Sequence, residues 1–465
     1  MSNTPPTLTG QADAQPGEHL IEPADAVLNQ RKEVEWTRHA RTALSLPDWI
    51  DLGFEHRTRY ESYDHPWRTD QAAGHGESDR QIALRSRLRV GFGGGGPVRF
   101  LFEGQDSRAY FNQDAGDFRD SPPSNTIINE FDIVQLLGSL TLNNVLGSGL
   151  RTDVHVGRMT MDFGRRRLIA RNDFRNSTNS FDGLHWQIAQ DKTWRVRTFF
   201  VEPVVRDDVK LDMQYHSALF WGAYLESRHM PWFQVDMYYF GLNDQRLTND
   251  TTHRTYSTVG GRLSKDPTPG EIDYDVESAW QTGTRGATDH FAHFQHIELG
   301  YTVQLPWFPR LVAHYDYASG DRKPGDSQDE GFDTLFGARR WEYGPTGTFG
   351  PFFRSNISSP GWRLIVTPAP GWTVQIKHRA WHLAQSRDVF GNSGLRDTTG
   401  QAGTSLGQDI EFRLQWAFNN NLDIDIGYDH WFKGSYFDRL PSSSGLPDGG
   451  NKDTDYFYAQ MRVRV

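Results

Sequence analysis

Arginine is concentrated in one short stretch of this 465-residue chain, between positions 158 and 175. The stretch contains six arginines: Arg158, Arg165, Arg166, Arg167, Arg171 and Arg175. A guanidinium group is a planar fork of donors that matches a carboxylate, and a solvated loop seldom needs so many of these groups. If the stretch folds into a pore, we expect it to select anions that carry carboxylates.

Three further arginines, Arg85, Arg87 and Arg89, occupy alternate positions and share one face of a predicted strand. Neighbouring guanidinium groups on one face repel unless carboxylates or an anionic ligand lie opposite. Two interpretations stay open. The arginines form a ladder that passes carboxylates along a pore, or they join a structural network with carboxylates of adjacent strands: Glu55, Glu103 or Asp153.

Acidic residues raise a competing expectation, because stripes at 273–277 and 423–429 would oppose an anion pathway if they lined its constriction. We expect them to pair with arginines on neighbouring strands or to lie near the rims of the fold. A further acidic cluster lies within residues 316–333. Its oxygen atoms could bind Ca²⁺, but their spacing matches no known cage, so we interpret the segment as a solvated loop.

Patterns that resemble catalytic motifs do not meet the structural requirements of catalysis. Ser405 lies in a G-x-S-x-G match, but it precedes a strand instead of joining a strand to a helix. His216-Ser217 lacks an identifiable acid partner, and the histidines at 290, 293 and 296 cannot all share a strand face. We therefore predict no catalytic residue, metal or cofactor, and an outer-membrane hydrolase is a distant alternative.

Alternation of apolar and charged residues recurs along the chain after Leu46 and predicts β-strands. The clearest segments are 50–60, 82–92, 150–156, 272–280, 410–416, 422–429 and 457–465. Repeated over strands of about ten residues, this pattern is typical of a membrane barrel with a lipid-facing surface and a polar lumen. Short turns alternate with long polar loops, and the length suggests a transmembrane antiparallel β-barrel of 16–18 strands.

Composition narrows the function classes. With 36% hydrophobic residues, a mean hydropathy of −0.67 and no apolar run of 18 residues, a helical membrane protein is excluded. The net charge of −10 argues against a nucleic-acid partner, and the absence of cysteine excludes disulfides and thiolate metal sites. Aromatic residues reach 13%, as the belts of an outer-membrane barrel would require.

The N-terminal segment differs from the rest. Residues 1–45 are predicted to be a disordered or partly helical periplasmic extension, and residues 46–465 the barrel. No secretory signal is visible, so the expected outer-membrane location implies a mature form.

Several motifs resemble the alginate export family of outer-membrane barrels. They are Gly157-Arg158, Phe163-Gly164-Arg165, Arg167-Leu168, Phe181-Asp182-Gly183, the first strand with Arg57, Arg59 and Glu61, residues 331–337, residues 406–409 and residues 431–434. The resemblance covers residues 46–465. It implies a monomeric barrel of 18 strands in the outer membrane of a Gram-negative bacterium, with an arginine-lined constriction through which an anionic polysaccharide is secreted. Periplasmic scaffold proteins of an export complex would be its partners.

We therefore predict an outer-membrane channel for an anionic, uronate-type polysaccharide. The expected pore residues are Arg57, Arg59, Arg85, Arg87, Arg89, Arg158, Arg165, Arg166, Arg167, Arg171 and Arg413. The main alternative is a general porin, or one that takes up small anions.

Overall fold

The computed structural model describes residues 44–65, 67, 78–110, 127–190, 193–207, 210–214, 217–230, 232–245, 253–345, 349–447 and 449–465. The extension predicted for residues 1–45 lies almost wholly outside the described residues. Within the ranges described, no helix has the length and apolar character needed to cross a membrane.

The alternating segments form eighteen strands of a single sheet. In chain order they are β1 (Ile50–Asp64), β2 (Ser78–Phe92), β3 (Val98–Tyr110), β4 (Asn129–Leu142), β5 (Arg151–Met159), β6 (Phe181–Gln190), β7 (Trp194–Val205), β8 (Ala218–Ser227), β9 (Gln234–Asp244), β10 (Arg254–Lys265), β11 (Ile272–Arg285), β12 (Thr288–Thr302), β13 (Arg310–Ala318), β14 (Ile357–Val366), β15 (Trp372–His382), β16 (Ser405–Ala417), β17 (Leu422–Lys433) and β18 (Thr454–Arg464). The described residues also include two-residue strands at Met213–Gln214 and Gln328–Asp329, and two short helices, α1 (Arg340–Tyr343) and α2 (Ser435–Arg439).

The sheet closes on itself. Each strand runs antiparallel to the next, and β1 pairs with β18 from Glu55 opposite Arg464 to Tyr63 opposite Tyr456. The backbone N–H of Phe54 also donates to the carbonyl of Val465. Closure removes both edge strands, which is what a sheet needs in lipid. The prediction of an 18-stranded antiparallel barrel is confirmed.

The two faces of the barrel differ as the alternation predicts. Phe54 and Leu88, on the outer face, are 41% and 44% exposed, whereas Arg85 and Glu61, on the inner face, are fully buried. Aromatic side chains stand outside near both ends of the strands, including Trp372 stacked on Trp416 at the short-turn end. The apolar faces therefore point to lipid and the charged faces to the lumen.

The apolar outer band does not cover the full length of β2. Leu88 has Phe54 and Gly104 as its cross-strand neighbours, but Leu84 lies between Thr58 and Arg108. Polar neighbours on both sides place Leu84 at the edge of the band or beyond it. The strands thus extend past the membrane core, which explains why β1 and β2 are longer than the alternation alone predicts.

Connections differ in length at the two ends of the barrel. Short ones lie at one end, as in residues 93–97, 367–371 and 418–421, and long ones lie mainly at the other. In bacterial barrels the short turns face the periplasm and the long loops face outwards.

Two of the long loops fold into the lumen, and we call them the pore loop (residues 160–180) and the second lumen loop (residues 319–356). They pair side by side through a bridge between Ile169 and Phe336. The N–H of Ala338 donates to the carbonyl of Arg166 at 2.8 Å. Within the described residues, these two loops therefore occupy part of the barrel interior.

Candidate functional site: an arginine wall facing the pore loop

The family-like motif at 157–158 and 181–183 fixes the point where the pore loop leaves the barrel. Gly157 lies opposite Gly183 across β5 and β6, both with positive φ. A Cβ at Gly157 would lie 2.3 Å from the carbonyl oxygen of Leu136, so only glycine fits there. Next to this pair, Arg158 forms two bonds with Asp182, at 2.8 and 3.0 Å.

Arg158 does not join the other predicted pore arginines. It lies two residues after Val156 and therefore on the same face of β5, the outer face, where Val156 is 58% exposed. Its guanidinium also donates to the carbonyl of Asp212. Arg158 therefore stabilises the start of the pore loop from the outer face of the barrel.

Arginines of β1, β2 and β18 form a continuous inner surface that faces the tip of the pore loop. We call this surface the arginine wall; it consists of Arg57, Arg59, Arg85, Arg87 and Arg462. The wall is buried, and several of its donors bind backbone carbonyls of the loop tip, residues 173–176. Arg57 donates to the carbonyls of Asp173 at 2.7 Å and Arg175 at 2.9 Å. Arg59 donates to the carbonyl of Phe174 at 2.5 Å.

Asp173 supplies the carboxylate of the loop tip. Its Oδ1 accepts from Arg85 at 3.0 Å and Arg87 at 2.6 Å, and its Oδ2 accepts from Arg462 at 3.1 Å. Burial alone would raise the pKa of Asp173, but these guanidinium groups outweigh it and hold that pKa well below the usual value. One loop carboxylate thus bridges arginines that belong to two strands.

A polar pocket of about 430 Å³, including its solvent-open part, lies beside this contact. Four arginines and a single carboxylate supply the charge of its lining. The lining residues are Arg57, Arg166, Asn172, Asp173, Phe174, Ala338, Arg340, Gln460 and Arg462. The pocket lies between the arginine wall and the two lumen loops, and arginines outnumber carboxylates in its lining.

Three other arginines of the pore loop make ion pairs away from this pocket. Arg165 binds Asp275 at 2.8 Å, and Arg167 binds Glu277 at 2.5 Å and Glu342 at 2.7 Å. On the opposite side of the loop, Arg171 pairs with Glu103. Of the predicted arginines in this stretch, the pocket therefore includes Arg166 alone, and its neighbours hold the loop in place.

Arg89 and Arg413 also lie on the inner face but do not line the pocket. Arg89 is half-buried near the periplasmic end of β2, and Arg413 binds Asp425 at 2.5 and 3.0 Å. The acidic stripes pair with arginines, as predicted from the sequence: Asp273 with Arg310, Asp275 with Arg262, and Asp423 with Arg462 and Arg464. The ladder residues Arg85 and Arg87 join ion pairs with Glu55 and Glu103, as the structural-network interpretation predicts, and neither lines the pocket.

Aromatic side chains hold the opposite side of the two loops. Phe163 of the pore loop stacks on Tyr224 and Phe199, with ring centroids 5.3 and 5.5 Å away. Phe336 of the second lumen loop packs on Phe220 at 4.9 Å. We call this cluster the aromatic anchor; it consists of Phe163, Phe199, Phe220, Tyr224, Tyr238, Phe240 and Phe336.

Sequence reasoning did not single out Asp173, Arg340 or Arg462 as site residues. Arg462 had a usable signal, because it alternates with apolar residues on the last strand, and closure brings that strand beside Arg57 and Arg59. No sequence signal pointed to Arg340, since it lies in α1, a one-turn helix of a folded loop. Its guanidinium binds Glu411 and Tyr458 at 2.7 Å each.

The acidic loop residues do not converge on one point. Asp316 belongs to β13 and pairs with His296 and Arg379, whereas Asp333 pairs with Arg254. Within the described residues, His296, Asp316 and Glu342 bring three potential metal ligands together. However, Arg167 and Arg354 bind Glu342, so guanidinium groups neutralise this cluster.

The histidines and Ser405 match their sequence interpretations. His290 and His296 are buried on the inner face of β12, while His293 lies on the outer face beside Trp280. Ser405 is the first residue of β16 and does not form the strand-to-helix turn of a nucleophile elbow.

Comparison with known proteins agrees with this architecture. The family model for alginate export matches residues 48–445. Solved structures with the same fold include three from Pseudomonas aeruginosa. OccK5 (OpdH) is 13% identical, with 90% of this chain and 98% of that one covered and a TM-score of 0.56. OpdK with vanillate is 13% identical (89% and 98%, TM-score 0.57), and OccK11 (OpdR) is 12% identical (90% and 96%, TM-score 0.53).

No curated protein matches the chain. The family match spans most of the described barrel, and the structural likeness shows a porin-type fold. The family match indicates an outer-membrane channel. The chain belongs to the alginate export family.

Proposed function

We propose that this outer-membrane channel conducts an anionic polysaccharide of the uronate type out of the cell, through the pocket between the arginine wall and the lumen loops. The observation that carries the proposal is the lining of that pocket: four arginines and one aspartate. The family match supports a polysaccharide as the cargo.

The chemistry of the wall suits such a cargo. A carboxylate that enters the lumen loses part of its hydration, and paired guanidinium donors replace it with charge-assisted hydrogen bonds. Arginines from β1, β2 and β18 provide several such donors side by side, so no single site needs to bind strongly. Conduction requires this balance, because a cargo must enter easily and also leave.

A small-anion uptake porin is the second candidate, and the narrowness of the pocket favours it. The tip of the pore loop binds the arginine wall directly, so little free space remains between them. A polymer would need the loop tip to shift before it could thread through. The two candidates therefore differ in whether long uronate chains enter the lumen.

Charge selectivity is the first test. In planar bilayers under a KCl gradient, the reversal potential should show a preference for anions, although the net charge of −10 suggests the opposite. Arg340→Gln and Arg462→Gln should each reduce that preference. Clear cation selectivity at low salt would contradict an arginine-controlled pore.

Cargo size is the second test. Hexagalacturonate should block the channel current, whereas maltohexaose, a neutral chain of equal length, should not. Equal block by both sugars would indicate a general porin whose charged wall is structural. Block by monomeric galacturonate alone would favour the small-anion candidate.

The proposed setting is the outer membrane of a Gram-negative bacterium, with periplasmic scaffold proteins delivering the polymer and a barrel that acts as a monomer. A single chain closes this barrel, which supports the monomer. The mass of the detergent-solubilised protein, measured by light scattering with the detergent contribution subtracted, tests the oligomeric state.

A further inference from the structure

We propose that Arg85, Arg87 and Arg462 form a carboxylate-binding site which Asp173 occupies in the resting channel, and from which a carboxylate of the polysaccharide displaces it. The inference rests on the proposed function and deepens it, since it names the first contact of the cargo. Asp173 would then act as a tethered competitor of the cargo.

The charges around the site require an anion at this position. Three strand carboxylates stay beside the guanidinium groups: Glu55 lies 3.0 Å from Arg85, Asp423 lies 3.0 Å from Arg462, and Glu103 lies 3.7 Å from Arg87. Five arginines share these three carboxylates, because Arg87 and Arg464 also contact Glu55 and Arg171 also pairs with Glu103. Without Asp173 the site keeps excess positive charge in a buried setting, which is unfavourable until another anion enters.

Asp173 is more accessible than the inner-face carboxylates of the strands that bind arginine. Its side chain is 26% exposed and lines the pocket, whereas those of Asp275 and Asp425 are each 4% exposed. It also lies on a loop, while Asp275 and Asp425 belong to strands β11 and β17 of the barrel. A ligand in the pocket can therefore reach Asp173 and Arg462, which both line it, and the loop can move to expose Arg85 and Arg87 without disrupting the barrel.

Residues 173–175 of the loop tip are held by acceptors that an anion can outcompete. Arg57 and Arg59 bind neutral backbone carbonyls of these residues. Charge-assisted hydrogen bonds to a carboxylate are about twice as strong as those to neutral acceptors. A polyuronate offers successive carboxylates at high local concentration, so its binding favours release of residues 173–175, while Asn176 keeps its hydrogen bonds to the carbonyls of Leu84 and Ile127.

The test uses single channels of the full chain in planar bilayers, with hexagalacturonate as the probe and maltohexaose as the neutral reference. Asp173→Asn removes the competing charge and keeps the shape. We expect its Kd for block by hexagalacturonate to fall about tenfold relative to the unmodified channel. Asp106→Asn is the matched control, because Asp106 also pairs with an arginine, Arg108, but lies on the outer face of β3.

The outcomes separate this inference from the proposed function. If hexagalacturonate blocks the unmodified channel and Asp106→Asn selectively, while Asp173→Asn binds it no more tightly, the displacement proposal is wrong and the proposed function stands. If hexagalacturonate blocks no variant better than maltohexaose does, both proposals fail.

A second variant keeps the proposal testable if Asp173→Asn fails to fold. The chain has no cysteine, so Asp173→Cys introduces a single thiol. Reaction of the inserted channel with 2-sulfonatoethyl methanethiosulfonate restores a negative charge at this position. We expect the Kd for hexagalacturonate to rise about tenfold on this reaction. An unchanged Kd after complete labelling would also overturn the proposal.

Discussion

The two sides of the pore loop are held by different kinds of interaction. On one side, Phe163 is buried in the aromatic anchor and held mainly by stacking and apolar burial, with the guanidinium of Arg197 over its ring. On the other side, Asp173 and its neighbours bind the arginine wall. Apolar burial has no substitute in solution, whereas a guanidinium group accepts any suitably placed anion. The difference suggests that the anchor is permanent and that the arginine contact is the part which a cargo opens.

The first prediction, which has the largest expected effect on stability, compares the two sides of the pore loop by a phenylalanine-to-alanine substitution on each side. Phe163→Ala should lower the free energy of unfolding by about 3–5 kcal/mol, because it removes a large buried ring from the anchor. Phe174→Ala, at the loop tip, should cost only about 1–2 kcal/mol, since that ring is half-buried and loses contacts with Arg59, Arg340 and Tyr458. Urea unfolding in lipid vesicles, followed by tryptophan fluorescence, measures both values.

Equal costs for the two phenylalanine variants would contradict the comparison. Phe163→Ala should also increase current noise, because the loop loses its fixed side. Phe174→Ala should leave the noise nearly unchanged.

The second prediction concerns β2, which carries the arginine wall on one face and lipid on the other. Leu88→Arg should cost about 2–4 kcal/mol and impair insertion, because Leu88 lies within the apolar band. Leu84→Arg should cost about 0–1 kcal/mol, because its neighbours Thr58 and Arg108 are polar. Heat-modifiable mobility in gels reports folding of both.

A larger cost for Leu84→Arg than for Leu88→Arg would mean that the apolar band lies closer to the long-loop end of β2 than the cross-strand neighbours indicate. The loop tip would then contact the wall at a different depth in the membrane. A small cost at both positions would show that this face does not meet lipid.

The strands were predictable from the sequence, but the pocket was less so. Successive side chains of a strand point to opposite faces. Once the apolar residues face lipid, Arg57, Arg85 and Arg87 must therefore lie on the inner face. By contrast, the partners of these residues come from residues 173–176, far along the chain in an irregular loop. No local pattern specifies such contacts, so Asp173 was missed and Arg158 was expected in the pore.

The third prediction uses salt concentration to distinguish the arginine-bound side of the pore loop from its aromatic side. Raising the salt from 0.1 M to 1 M shortens the screening length from about 10 Å to about 3 Å. The effect of Asp173→Asn on block by hexagalacturonate should therefore shrink, because the exposed part of this contact is electrostatic. The stability loss of Phe163→Ala should persist. A salt-independent Asp173 effect would indicate that the loop tip acts through its shape.

The smallest expected effect is the absence of a pH dependence. A carboxyl with a depressed pKa contributes its interaction above the unfolded value, about 3.9 for aspartate, and loses it only as the pH falls towards the folded value. Because the pKa of Asp173 is held well below the usual value, the carboxylate stays charged from pH 8 to pH 5. The ratio of the Kd values of Asp173→Asn and the unmodified channel should be constant over this range. The ratio cancels other groups that titrate there, since both channels contain them. A ratio that approaches one at pH 5 would show that Asp173 takes up a proton, and hence that the arginine wall does not hold it as the geometry indicates.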